Sequence, residues 1–208
     1  MSGDDRVLVI ETATSACSVA LIADGAVVAH AHESVARGHA ERLIPMIAGL
    51  PERGRAQRIL VDVGPGSFTG VRVGIAAARA LALAWGATLA GYRSTSLLAA
   101  QAAARGAAGD GGDGALAAVL IGGHGELFVQ LFEGQVSPVG TLQSLNPADA
   151  GALIGARPVV GSGAGAIGRD EATIEPDARD VLLIPAALAR EDARPVYGRA
   201  PDAKPAAA

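Results

Sequence analysis

A chain of 208 residues, half of them hydrophobic and 18% charged, carries too much apolar side chain for a disordered tail and enough to build one compact unit or two small lobes. Its formal charge of −4, from 17 basic and 21 acidic residues, is the wrong sign for a protein that grips a phosphate backbone by itself. Aromatics are 3% and Cys17 is the sole cysteine, so Ala, Val, Leu and Ile must fill the interior, and an intramolecular disulfide or thiolate zinc site is excluded. Apolar runs such as 116–121 are too short to span a bilayer, and Met1-Ser2-Gly3-Asp4-Asp5 is acidic where a secretory leader is basic. A cytoplasmic protein is expected.

Residues 6–12, 16–23 and 26–33 read as three short strands with tight polar turns, the second being Asp24-Gly25, and predict an antiparallel meander. Over 38–50, Leu43, Met46, Ile47 and Leu50 fall at helical spacing, which predicts an amphipathic helix interrupted near Pro45. A fourth strand at 58–63 runs into Gly64-Pro65-Gly66-Ser67-Phe68-Thr69-Gly70-Val71-Arg72-Val73-Gly74, and a helix follows over about 71–85. Gly64, Gly66 and Gly70 permit backbone angles or close approaches that a Cβ would block, Pro65 fixes its own φ, and Ser67 or Thr69 can cap the helix. Such a turn is either an anion site at a helix N-terminus or a packed joint. No Gly-Lys-Ser/Thr follows, and the dinucleotide spacing is missing, so the familiar nucleotide loops are excluded. Within the helix, Gly74, Ala77, Ala78, Leu81, Ala82 and Trp85 make a smooth strip suited to internal packing or to a second helix. Arg72 and Arg79, seven apart, share a face.

Residues 105–114 are rich in Gly and Asp and predict a flexible boundary between a first lobe at 1–105 and a second at 106–208. Beyond it, strands at 116–121, 127–132 and 135–139, a weak helix after Asn146-Pro147 and a strand at 158–160 read as a reduced echo of the first lobe. The glycines of Gly161-Ser162-Gly163-Ala164-Gly165 would let a nucleotide approach the backbone but equally suit a loop after that strand, the reading favoured for so short a pattern, and 203–208 should fray. The order β-β-β-α-β-α is that of the half-domain of the actin-like ATPase and sugar-kinase (ribonuclease H-like) α/β architecture. No complete active site is visible. The histidines are His30, His32, His39 and His124, with no His-x-x-x-His; His30 and His32 share a strand face without a third ligand, which suits a solvated edge. Ser67 has no evident base, and no metal site is expected.

Four further stretches join the glycine string in one resemblance: Val7-Leu8-Val9-Ile10-Glu11-Thr12-Ala13-Thr14-Ser15-Ala16-Cys17-Ser18-Val19-Ala20-Leu21, His39-Ala40-Glu41-Arg42-Leu43-Ile44-Pro45, Ser94-Thr95-Ser96-Leu97 and Pro195-Val196-Tyr197-Gly198-Arg199-Ala200-Pro201-Asp202. Together they resemble the bacterial TsaB (YeaZ-like) proteins, strongly over the first hundred residues and again at the end. The resemblance implies a non-catalytic scaffold or dimerization subunit in the making of threonylcarbamoyladenosine at position 37 of tRNA. Such a subunit binds the TsaD transferase, with TsaE joining, touches tRNA only through the complex, and can self-associate as a homodimer. It implies no intrinsic cofactor, with ATP or ADP at the partner joint. It also implies a four-helix interface, which maps here to Leu43, Met46, Ile47 and Leu50 on one helix and Gly74, Ala77, Ala78, Leu81 and Trp85 on the next, with Arg72 and Arg79 at the rim or on an anion.

Two departures bear on activity. Actin-like enzymes end the first strand in an aspartate that orients metal or water; Glu11 stands there, one methylene longer, and suits a cap on the 12–15 turn. A second-lobe turn that in relatives reads like Asp-Ala-Arg is here Ile121-Gly122-Gly123-His124-Gly125-Glu126. The competing readings are a metallopeptidase of the glycoprotease-like group, opposed by the missing histidine pair, and an independent actin-like ATPase, opposed by Glu11 and the altered turn.

Overall fold

The computed structural model describes residues 5–35, 37–107, 114–169 and 174–198. Most of the predicted flexible stretch at 105–114 and all of the frayed end at 203–208 lie outside the described residues. Strands β1 (Arg6–Glu11), β2 (Ala16–Ala23) and β3 (Ala26–Ser34) form the expected meander, and β4 (Arg58–Asp62) and β5 (Thr88–Tyr92) add parallel to β1. The sheet order is β3-β2-β1-β4-β5. A central strand covered on both faces has no reason to alternate, and Val7-Leu8-Val9-Ile10 is buried throughout.

One face of this sheet, with Leu8, Ile10, Val19 and Leu21, packs beneath α1 (His39–Gly49) and α2 (Phe68–Trp85). The other, with Val7, Val9, Ala20 and Tyr92, shares a core with α3 (Ser94–Ala104) and with Leu116, Leu120, Phe128 and Phe132 of a second sheet. That second sheet holds β6 (Leu116–Ile121), β7 (Leu127–Glu133), β8 (Ser137–Leu145) and β9 (Val159–Val160) in the order β8-β7-β6-β9, with α4 (Pro147–Ile154) between β8 and β9. It repeats the first sheet's 3-2-1-4 order, so the echo is topological as well as compositional. The fold is the actin-like α/β architecture with two sheets.

Helix α1 differs from its prediction by running through Pro45. Leu43, Met46 and Ile47 anchor it on either side, while Pro45 and Glu41, whose carbonyl loses its N–H partner, are both exposed where water can serve the freed group. Helix α2 starts three residues earlier than predicted, at Phe68, because Ser67 is its cap: the hydroxyl accepts from Gly70 N at 3.2 Å. Ser67→Ala should cost about 1 kcal/mol, read as a lower denaturant midpoint with unchanged slope.

Two late segments return to the first sheet. At 174–178, Glu175 accepts hydrogen bonds from Ser34 Oγ (2.7 Å) and Ser15 Oγ (2.9 Å) and approaches His32 Nε2 at 3.4 Å, while Ser18 Oγ accepts from Ala178 N at 3.0 Å. His32 is therefore covered, in place of the solvated edge expected from sequence; His30 is exposed. Burial alone would raise the Asp177 carboxyl, but hydrogen bonds from Arg179, its charge and that of His32 hold it below its ordinary 3.8. At 191–197, Gly91 and Glu191 exchange backbone hydrogen bonds, Val196 N donates to Val63 O at 2.7 Å, Arg79 donates to Ala193 O at 2.7 Å and Arg72 Nε to Tyr197 Oη at 2.8 Å.

Candidate functional site

The glycine turn is a packed joint between two loops. Ser67 N donates to Ala13 O at 2.6 Å and Thr12 Oγ1 to Gly70 O at 2.8 Å. A Cβ on Gly66 would land on the Ala13 carbonyl, on Gly70 on the Thr12 carbonyl, and on Gly74 on the Thr12 hydroxyl. Gly64 needs its glycine twice, for φ +94° and for the Val196 carbonyl 2.8 Å from where a Cβ would stand. Thr69 lies inside the first turn of α2, exposed. Of the two readings open from sequence, the geometry gives the joint.

Beside the joint an open cleft of about 780 Å³ lies between the loops of the first sheet and Leu120, Ile121, Ser162 and Ile174. It is bordered by Thr14, Ser15, Arg37, Ser67 and Thr69, and by the N-terminal residues of α1. His39 there is buried, its Nε2 3.0 Å from Thr14 O. The loop at 161–163 packs on β6, where a Cβ on Gly161 or Gly163 would meet Val119. Glu11 does not reach the cleft: it is buried, its Oε1 accepts from Ala13 N at 3.0 Å, and it caps the turn as the sequence suggested. Among the described residues no group of three His, Cys, Asp or Glu could hold a metal. Cys17 is a buried strand residue whose thiol burial pushes up to about 11.

The strip expected to meet a partner is turned inward. Leu43, Met46, Ile47, Leu50, Gly74 and Ala78 are buried in the chain's own core beneath the helix pair, and Ala77, Leu81 and Trp85 pack along the margin of the same cluster. The correction has a simple cause: small residues at helical spacing fit a sheet as well as a helix, and α2 lies on β4. Arg72 and Arg79 share a face, as predicted, but hold the 193–197 segment; the Arg72 guanidinium also sits 3.6 Å over the Phe68 ring.

What α1 and α2 turn outward includes, beside the charged Glu41, Arg42, Arg72 and Arg79, a second set of apolar residues. Ile44 is 50% exposed and Leu83 88%, and Ala40, Pro45 and Ala48 of α1 and Ala76, Ala80 and Ala84 of α2 are exposed with them. The two helices pack against each other. Sequence reasoning missed this second stripe although a signal existed: α2 has a mean hydropathy of 1.3 over 18 residues, too high for a helix with one buried stripe and a polar back. By length and composition alone α2 could cross a membrane, contrary to the sequence expectation, yet Gly70, Val71, Gly74, Ile75, Ala78 and Ala82 are buried against the core.

The chain is similar to known proteins. Residues 29–146 match the family model described as TsaD: tRNA N6-adenosine threonylcarbamoyltransferase. The chain is 47% identical over 85 residues to the tRNA threonylcarbamoyladenosine biosynthesis protein TsaB of Escherichia coli, a match covering 38% of this chain and 36% of the relative. The TsaB of Haemophilus influenzae is 42% identical over 80 residues, 36% of this chain and 34% of the relative. The matched stretch thus spans about a third of the length of these curated relatives. Among solved structures, YeaZ from Pseudomonas aeruginosa superposes with a TM-score of 0.76 at 28% identity, covering 93% of this chain and 99% of that one.

Proposed function

Because this chain belongs to the TsaD family as that model defines it, among its TsaB/YeaZ-like members, we propose that it is a non-catalytic scaffold and dimerization subunit for threonylcarbamoyl transfer to N6 of adenosine 37 in tRNA. It docks a TsaD-type transferase on the outward face of α1 and α2, TsaE joins that pair, and the assembly works in the cytoplasm. The observation that carries this reading is the apolar outer face of the helix pair, with Leu83 88% exposed. Solvent-exposed apolar helical surface of that kind favours a second helix pair over water. The cleft opens beside the N-terminal ends of both helices, so a docked partner would border it, and ATP or ADP at the joint would lie there. The net charge of −4 fits a subunit that leaves tRNA to its partner. Neither a peptidase nor an independent ATPase is favoured, since the strand-end carboxylate Glu11 is sealed from the cleft.

The test is reconstitution. TsaD and TsaE supplied with tRNA and threonylcarbamoyl-adenylate should form the modified nucleoside only when this chain is added, and the chain alone should neither hydrolyse ATP nor cleave peptides. Equal product without the chain, or turnover by the chain that survives further purification, overturns the reading.

A further inference from the structure

Three adjacent parallel strands end in three buried acids: Glu11 on β1, Asp62 on β4 and Tyr92 on β5. Glu11 and Asp62 are 0% exposed, and no described cation pairs with either. A buried carboxylate without a counter-charge is expensive unless it is neutral or fully hydrogen-bonded. The donors fall one short. Glu11 Oε1 accepts from Ala13 N at 3.0 Å, and Glu11 Oε2 from Tyr92 Oη at 3.3 Å, a hydroxyl shared with Ile10 O at 3.1 Å. Asp62 Oδ1 accepts from Gly64 N at 2.7 Å, but Asp62 Oδ2 is buried with no donor. Ser94, at the start of α3, is next to it, yet its N–H serves Gly64 O and its hydroxyl Pro65 O. The Ser94 hydroxyl and N–H are close enough to lower Asp62, and the Glu11 carboxyl, at the end of the neighbouring strand, hydrogen-bonds it as well.

We propose that Glu11 and Asp62 share one proton at neutral pH, with Glu11 as the acid donating to Asp62 Oδ2, and that this bridge fastens the 12–15 loop to the 64–67 turn beneath α2. The bridge satisfies the orphan oxygen and leaves one charge where two would repel. Because Glu11 also holds Ala13 and Asp62 holds Gly64, it ties together the two loops whose contact seats the helix. The electrostatics agree: burial first, then the Asp62 charge, pushes Glu11 well above its ordinary 4.5, and burial raises Asp62 above 3.8.

The sign follows from linkage. A carboxyl whose folded pKa is raised keeps a proton that the unfolded chain releases above about 4.5, so its contribution to stability is fully present below that value and is lost as pH rises toward the folded pKa. One retained proton changes the folding constant about tenfold per pH unit. The other groups around the pair do not mimic this. Tyr92 is raised by burial and by Glu11, so it stays neutral below its ordinary 10; Asp177, which acts on Tyr92 from the 174–178 segment, is lowered and titrates at the acid end; Ser94 carries no charge.

Denaturant unfolding of the full chain between pH 5.5 and 8.5, for wild type and Glu11→Gln, tests the bridge. The glutamine keeps a donor for Asp62 and an acceptor for Ala13 but cannot ionise. Its folding constant should fall less steeply with pH than that of wild type, by up to about tenfold per unit, and wild type at pH 7 should show the infrared carbonyl stretch of a neutral carboxylic acid that the variant lacks. Equal slopes overturn the proposal. If Glu11→Gln does not fold, the wild-type infrared band decides alone: its presence at pH 7 supports the bridge, and its absence sinks it.

Discussion

Gly70→Ala should destabilise the protein by about 3 kcal/mol or more, lowering its melting temperature by roughly 6–12 °C. The direction is the informative part. In a helix interior alanine is ordinarily better than glycine by about 1 kcal/mol, and Gly70 sits inside α2 with an ordinary negative φ, so propensity alone predicts a gain. What reverses it is the Thr12 carbonyl, onto which the new Cβ would land. Backbone cannot swing aside as a side chain can, and Thr12 is tied to the same place by its hydroxyl bond to Gly70 O. Gly151→Ala in α4 is the control, since a Cβ there meets nothing within 4 Å, and it should be neutral or slightly stabilising. A Gly70→Ala protein that melts with wild type would mean that the two loops separate without penalty.

Leu83→Glu should leave the isolated chain folded and weaken the proposed association with a TsaD-type transferase by about 2–4 kcal/mol, roughly 30- to 1000-fold in affinity. At 88% exposure Leu83 contributes little to the chain's own core, so circular dichroism should be unchanged, while a carboxylate in a dry helix contact has no partner. Ala78→Glu is expected to behave differently. Ala78 is 0% exposed between α2 and the sheet, and its glutamate would damage the fold before any partner is met. Calorimetric titration with the transferase separates the two. A folded Leu83→Glu protein that binds with wild-type affinity removes the outer face of α2 from the interface.

Where periodicity and turn chemistry agreed, the fold was legible: the meander, the turn at Asp24-Gly25, the place of the glycine turn between strand and helix, and the second sheet as an echo of the first all follow from local pattern. Strand β5 and helix α3 were not anticipated from pattern. Thr88-Leu89-Ala90-Gly91-Tyr92 has too much Gly and Ala for a strand signal, and Gly91 is there because a Cβ would strike Val63. Helix α3 is buried nearly all round, including Ser94, Thr95, Ser96 and Gln101, so it offers no polar face for a period to register. The candidate site was half legible. Sequence found the two helices and a strip of small residues on them, but such a strip reads the same whether it meets a sheet or a partner, and only the three-dimensional placement shows Gly74 and Ala78 packed on the chain's own sheet. The pairing of Glu11 with Asp62 had no signal, since 51 positions separate residues that meet only when β1 and β4 lie side by side.

The contacts of 191–197 with α2 impose an order on synthesis. Arg79 waits 114 positions for Ala193, and Arg72 waits 125 for Tyr197. At about 5–20 residues per second, the nascent helix pair spends roughly 6–25 s without the segment that clasps it. During that interval the apolar outer stripe is offered by an unlatched helix, so a partner engaging early on the ribosome would meet a more mobile α2 than one that arrives after Tyr197 has closed over Arg72.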